Sequence, residues 1–181
     1  SPADLKGKRV GVPEYQQTAA LWTRAALQHV YGVTAQDMRW WMERNEEMSH
    51  GGATGFTPPP GVEFHYIDRD SSMGEMLVNG DLDASLLYIA GGNLVDRSSV
   101  NIATDRRFRR LFPDPQAEGA AYYQKTGFYP INHGVVIKRS VYEENPWAVL
   151  NIYNAFLKAK NIWAAEAKEV AAPFLQTGVL T

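Results

Sequence analysis

The run Pro13-Glu14-Tyr15-Gln16-Gln17-Thr18 sets an acid, a phenol, two amides and a hydroxyl side by side. A short apolar run precedes it and a helical spacing follows it. The run therefore belongs at the carboxyl end of a strand and the amino end of a helix, where free N–H groups and the helix dipole favour an anion. Tyr15, Gln16 and Thr18 supply donors suited to a carboxylate; the plainer reading is that Gln17 or Thr18 caps the helix. Glu14 is a candidate general acid or base, or a solvated rim residue. Arg24, two turns into the helix, carries a guanidinium fork that matches a carboxylate; a surface arginine is its other reading. His133, in Ile131-Asn132-His133-Gly134, titrates near neutrality and can give or take a proton; its alternative is a buried histidine bonded to backbone. Tyr88, ahead of Ala90-Gly91-Gly92, can stack on an aromatic ring or pack in the core.

Other chemistries find no footing. The chain has no Cys, so no thiolate nucleophile, disulfide or cysteine-bound metal. His29, His50, His65 and His133 lie far apart, and His65 and Asp68 differ by an odd number, which puts them on opposite faces of a strand. No metal site and no cofactor are predicted, and any metal requirement stays open. There is no dinucleotide glycine fingerprint and no nucleophile elbow. The run Gly51-Gly52-Ala53-Thr54-Gly55 lacks the Lys-Ser/Thr of a phosphate loop. Eighteen Lys and Arg against twenty Asp and Glu give a net charge of -2, which excludes binding of nucleic acid chiefly through its phosphates. No apolar stretch is long enough to span a membrane. The polar start, Ser1-Pro2-Ala3-Asp4, has no apolar core of a signal peptide and no Met, as in a processed protein or a piece begun in mid-gene.

The elements that must position these residues follow from periodicity. Residues 8–13 read as a buried strand stopped by Pro13. Residues 16–30 read as a helix closed by Tyr31-Gly32. Residues 38–43 and 62–67 fit two more strands, with Trp40 and Trp41 on opposite faces of the first. The Gly- and Pro-rich stretch 44–61 is a long loop. Ser71 or Ser72 caps a short helix that ends at Asn79-Gly80, and residues 83–89 make a fourth strand. Alternating strands and helices predict an α/β lobe with a mainly parallel sheet over residues 8–95. Residues 96–181 change character. Residues 104–126 suggest two short helices broken at Pro113-Asp114-Pro115. Residues 128–138 are extended around Val135, Val136 and Ile137. A long helix starts behind Asn145-Pro146 with the stripe Trp147, Leu150, Tyr153, Phe156 and Leu157, and a final helix stops at Pro173. A lone strand needs neighbours, so this second part reads as a tail that belongs to something else. Residues 128–181 are expected to expose apolar surface or to cover it by pairing with another copy.

Four stretches resemble one family. They are Asp4-Leu-Lys-Gly-Lys-Arg-Val-Gly-Val-Pro-Glu-Tyr-Gln-Gln-Thr-Ala-Ala20, Arg110-Leu-Phe-Pro-Asp114, Phe128-Tyr-Pro-Ile-Asn-His-Gly-Val-Val-Ile-Lys-Arg139 and Val141-Tyr-Glu-Glu-Asn-Pro-Trp147. In that order they resemble the 4,5-dihydroxyphthalate decarboxylase family, which shares the two-lobed fold of the periplasmic solute-binding proteins of ABC importers. The resemblance implies that residues 8–95 are the second lobe, that residues 96–181 return to the first, and that a preceding segment carries the first lobe's sheet. It also implies a ligand, a small aromatic carboxylate or other organic anion, held between the lobes. His133 is the candidate proton donor of a decarboxylase, and Tyr15, Gln16 and Thr18 its carboxylate anchors. The alternative is a non-catalytic solute-binding protein for a small organic anion, built on the same turn. The enzyme would be cytoplasmic; the binding protein would be periplasmic or lipid-anchored outside the membrane. A third reading is a piece of an enzyme that lacks half its cleft.

Overall fold

The computed structural model describes residues 1–45, 47–49, 55–88, 97–102, 104–131 and 133–179. They form two compact units, Ser1–Asn132 and His133–Thr181.

The first unit is built on β1 (Arg9–Val12), β2 (Arg39–Met42), β3 (Glu63–Tyr66) and β4 (Ala84–Ser85). The sheet order is β3-β2-β1-β4 and every pairing is parallel, with Val10 opposite both Trp40 and Ala84. Helix α1 (Thr18–Tyr31) carries the chain from β1 back to the start of β2, and α2 (Met73–Asn79) carries it from β3 to β4. Parallel neighbours need such crossovers. This is the α/β lobe with a parallel sheet that the alternation predicts. One sheet face carries Val10, Val12, Trp40 and Met42, which pack with Leu5 and with Ala20 and Leu27 of α1. Each such fully buried side chain stabilises the fold by roughly 1.5–3 kcal/mol. The other face packs Met73, Leu77 and Leu82 with Trp41. Trp40 and Trp41 thus serve opposite faces. Gly11 is what lets this second layer close: a Cβ there would stand 2.7 Å from the Met73 sulfur and 2.8 Å from Leu82 Cδ1. Gly32 ends α1 in the left-handed conformation, and Ser72 caps α2 by accepting from the Glu75 N–H.

Four elements depart from the sequence expectation. The fourth strand, expected over 83–89, pairs only at Ala84–Ser85; Leu87 takes a φ of 55°, which turns the backbone out of extended geometry. Ile89, Ala90, Gly91 and Gly92 lie outside the described residues, as do His50, residues 51–54 and Asn132. Residues 104–126 form one helix, α3 (Pro115–Thr126), capped by Asp114. The described residues before it are irregular. There the Asp105 carboxylate accepts from the Arg107 N–H and from its guanidinium, and such a local turn competes with a helix.

The second unit holds α4 (Arg139–Glu144) and α5 (Pro146–Gln176). The long helix and the final helix of the sequence reading are one helix of 31 residues that runs past Pro173. A proline in the last turn removes a single ladder bond close to the end, where the helix tolerates it. Residues 135–137 are in no strand, and Val136 is 95% exposed.

Candidate functional site

The carboxyl ends of β1 and β2 carry a polar cluster sunk among apolar neighbours. Beyond the strands the pairing continues, with Glu43 N–H donating to Val12 O and Arg44 N–H to Pro13 O. This brings the Arg44 side chain to Glu14. Glu14 is 1% exposed. Its Oε2 accepts from Arg44 Nη1 at 2.8 Å; its Oε1 accepts from Gln16 Nε2 at 2.7 Å and from Ser49 Oγ at 2.9 Å. A buried ion pair is sustained only where its remaining lone pairs are filled in this way. Gln16 Nε2 also lies 2.6 Å from Ser49 Oγ. The Oε1 atoms of Gln16 and Gln17 are buried without a hydrogen-bond partner.

Tyr15 points into the lobe. Its ring is 3% exposed and meets Trp40, Phe56 and Phe64 at centroid separations of 5.1–5.9 Å. The Arg24 guanidinium lies over this ring, 3.7 Å from its centroid, and Nη1 donates to Tyr15 O at 2.6 Å. Burial pushes the Tyr15 phenol pKa up, opposed by the Arg24 charge. Burial likewise holds Arg24 below the usual guanidinium range, opposed by Tyr15. Thr18 is exposed in the first turn of α1, and the N-cap Gln17 makes no side-chain capping bond.

A second buried carboxylate, Glu43, went unnoticed in the sequence. It is 1% exposed. Glu43 Oε1 accepts from the N–H groups of Arg97 and Ser98, and Oε2 from Ser98 Oγ and the Met73 N–H. The Arg97 guanidinium donates to the carbonyls of Glu43, Ile67, Asp68 and Ser71, fastening that segment across the ends of β2 and β3. An acid directly after an apolar strand was the available signal, but its partners are 30 to 55 residues away. Tyr88 stands beside this group: its hydroxyl donates to Val100 O at 2.5 Å, and burial, followed by the Glu43 charge among the raising effects, pushes its pKa up. A Cβ on Gly74 would lie 2.5 Å from that hydroxyl.

The structure therefore joins Glu14 with Gln16, and Tyr15 with Arg24. It sets Tyr88 with Glu43, and Thr18 at the start of α1. His133 is exposed and opens the second unit. Two residues before it, Ile131 O accepts from Trp22 Nε1 of α1 at 3.0 Å. His65 stacks on Trp41 and reaches Glu63. Among the described residues no group of three or more His, Asp or Glu could hold a metal ion. No described helix is long and apolar enough to cross a membrane. A separate groove of about 620 Å³ runs past β4, between Leu27, Leu86, Phe108 and Phe112, and none of the site residues expected from the sequence lines it.

No family model matches the chain. It is 30% identical over 181 residues to a 4,5-dihydroxyphthalate decarboxylase of Comamonas testosteroni, covering 97% of this chain and 53% of that protein. It is 39% identical over 84 residues to a 4,5-dihydroxyphthalate decarboxylase of Pseudomonas putida, covering 46% of this chain and 33% of that one. The chain spans about half the length of the first of these and matches a third of the second. The family resemblance carried by the four motifs is thus matched by sequence similarity along nearly the whole chain to a protein named 4,5-dihydroxyphthalate decarboxylase.

Proposed function

We propose that this chain is part of a decarboxylase acting on a hydroxylated aromatic dicarboxylate of the 4,5-dihydroxyphthalate type. The observation that carries the reading is the similarity over 97% of the chain to a protein of that name. In this reading residues 8–95 are one lobe, residues 96–181 return to the other, and the ligand lies between the lobes. The carboxyl ends of parallel strands are where open α/β sheets take ligands, and the Glu14 cluster is built there. A phenol oxygen pushes electrons into the ring, and a general acid protonates the carbon that bears the leaving carboxylate. The C–C bond then breaks, its electron pair returns to the ring, and CO₂ departs. His133 is the proton donor. Thr18 and the first N–H groups of α1 hold the retained carboxylate, and Tyr88 borders the ring; the Gln16 amide hydrogens are directed to Glu14 and Ser49 instead. Glu14 already accepts three hydrogen bonds, one from a cation, so it orients Gln16 and Arg44.

The test is His133→Asn in the full-length protein, with CO₂ release and melting temperature measured on one preparation. Turnover should fall about 10²–10⁴-fold, the usual range for a lost general acid, with binding of the dicarboxylate much less affected. Normal turnover with a lowered melting temperature would make His133 structural. Tight ligand binding with no CO₂ release by the wild type would favour the solute-binding alternative.

A further inference from the structure

We propose that Arg24 binds a carboxylate group of the ligand and that Tyr15 serves it as a buried platform rather than touching the ligand. The proposal rests on the decarboxylase reading for the identity of that ligand, an aromatic dicarboxylate. Four other arginines of the first unit are matched to acceptors, while the exposed Arg39, like Arg24, donates to a single carbonyl, that of Gly7. Arg9 pairs with Asp83, Arg44 with Glu14, and Arg107 with Asp105, while Arg97 spends its guanidinium on four carbonyls. Arg24 is half-buried, yet among the described residues it has no acidic partner, and its hydrogen bond goes to one carbonyl, Tyr15 O. A guanidinium has five N–H donors in a rigid plane, so most of the fork is left for another acceptor. Desolvation makes an uncompensated cation costly, and an incoming carboxylate supplies both the missing charge and the missing acceptors.

The platform explains why the fork is held still. The Tyr15 ring is wedged edge-on against Trp40 and Phe64, and the guanidinium lies 3.7 Å above it, within 5.9 Å of the Trp40 ring as well. Stacking on aromatic faces is something arginine does and lysine does poorly. One face of the guanidinium is thereby covered, and its orientation is set before any ligand arrives. Arg24 reaches back to the residue that follows Glu14, beside the strand ends where the reading places the ligand.

The experiment is calorimetric titration of the full-length protein with phthalate, alongside thermal melting, for the wild type, Arg24→Gln, Arg24→Lys and Tyr15→Leu. Gln removes the charge and the fork, and being shorter it gives up the bond to Tyr15 O as well. Phthalate affinity should fall about 10–100-fold in Arg24→Gln and at least several-fold in Arg24→Lys, which keeps the charge and loses the fork. Tyr15→Leu, with Arg24 intact, should also weaken binding. Phthalate binding equal to wild type in Arg24→Gln overturns the assignment and leaves the decarboxylase reading standing. Should Arg24→Gln fail to fold, wild-type affinity in Arg24→Lys overturns it and weakened affinity supports it. Absence of phthalate binding by the wild type overturns the functional reading, and this proposal with it.

Discussion

Glu14 and Arg44 are both charged and almost wholly enclosed, with side-chain exposures of 1% and 9%. Removing one partner of such a pair takes away the other's buried counter-charge, which costs about 3–5 kcal/mol. Glu14→Ala should therefore lower the urea midpoint sharply. Combining it with Arg44→Met should recover part of that loss, because the buried cation that faced Glu14 is gone. Strictly additive losses would show that the pair is not coupled. Residue types at this turn were legible in the sequence: an acid, a phenol and amides after a short strand read as a polar site. Their directions were not. Tyr15 turns inward because Trp40 and Phe64, 25 and 49 residues later, build the aromatic pocket for its ring, and Arg44 reaches Glu14 because the parallel register of β1 and β2 sets Val12 beside Met42.

At the scale of elements, β1 and β4 share two backbone pairings, and Arg9 reinforces them. Its N–H and Nε donate to Asp83 Oδ2 and its Nη2 to Asp83 Oδ1 and Gly80 O. The Arg9 bonds hold the Asp83 carboxyl at about 2, below its ordinary 3.8. A carboxylate with a depressed folded pKa stabilises the fold above its unfolded pKa, and that contribution is lost as pH falls through the folded pKa. Asp83→Asn should thus destabilise the protein at pH 7 by about 1 kcal/mol or less, given how exposed the pair is. The gap between variant and wild type should shrink between pH 4 and pH 2. A gap that is constant across that range would remove the charge from the explanation. Strands β1 to β3 were legible because β-branched and aromatic residues cluster between turn signals. The short β4 was not, since a left-handed Leu87 leaves no mark in composition. The unbroken α5 was misread because Pro173 looks like a stop unless the end of the helix is already known to lie at Gln176.

At the scale of the molecule, the first unit has a core and the second shows its apolar side chains. Trp147, Leu150, Tyr153 and Phe156 of α5 are 57–66% exposed, and monomers rarely leave so large an apolar face bare. The 181-residue chain on its own is expected to bind a hydrophobic dye and to self-associate in light scattering. A clean monomer of the short chain without dye binding would mean that this face is stable in water. The sequence announced this surface, because a stripe at helical spacing shows that a face is apolar whatever covers it.

Strand β1 lies inside the sheet, and its last partner comes late: Arg9 and Asp83 are 74 residues apart. During synthesis at about 5–20 residues per second, β1 therefore waits roughly 4–15 s for β4. Throughout that interval one edge of β1 offers unpaired N–H and C=O groups to any other extended chain. Val10 and Val12 flank Gly11 on that strand, so the waiting segment is short, sticky and only four residues long. The nascent lobe is most exposed to mispairing before Ala84 and Ser85 emerge, and a chaperone that shields Arg9–Val12 during those seconds would raise the yield of the folded lobe without altering its stability.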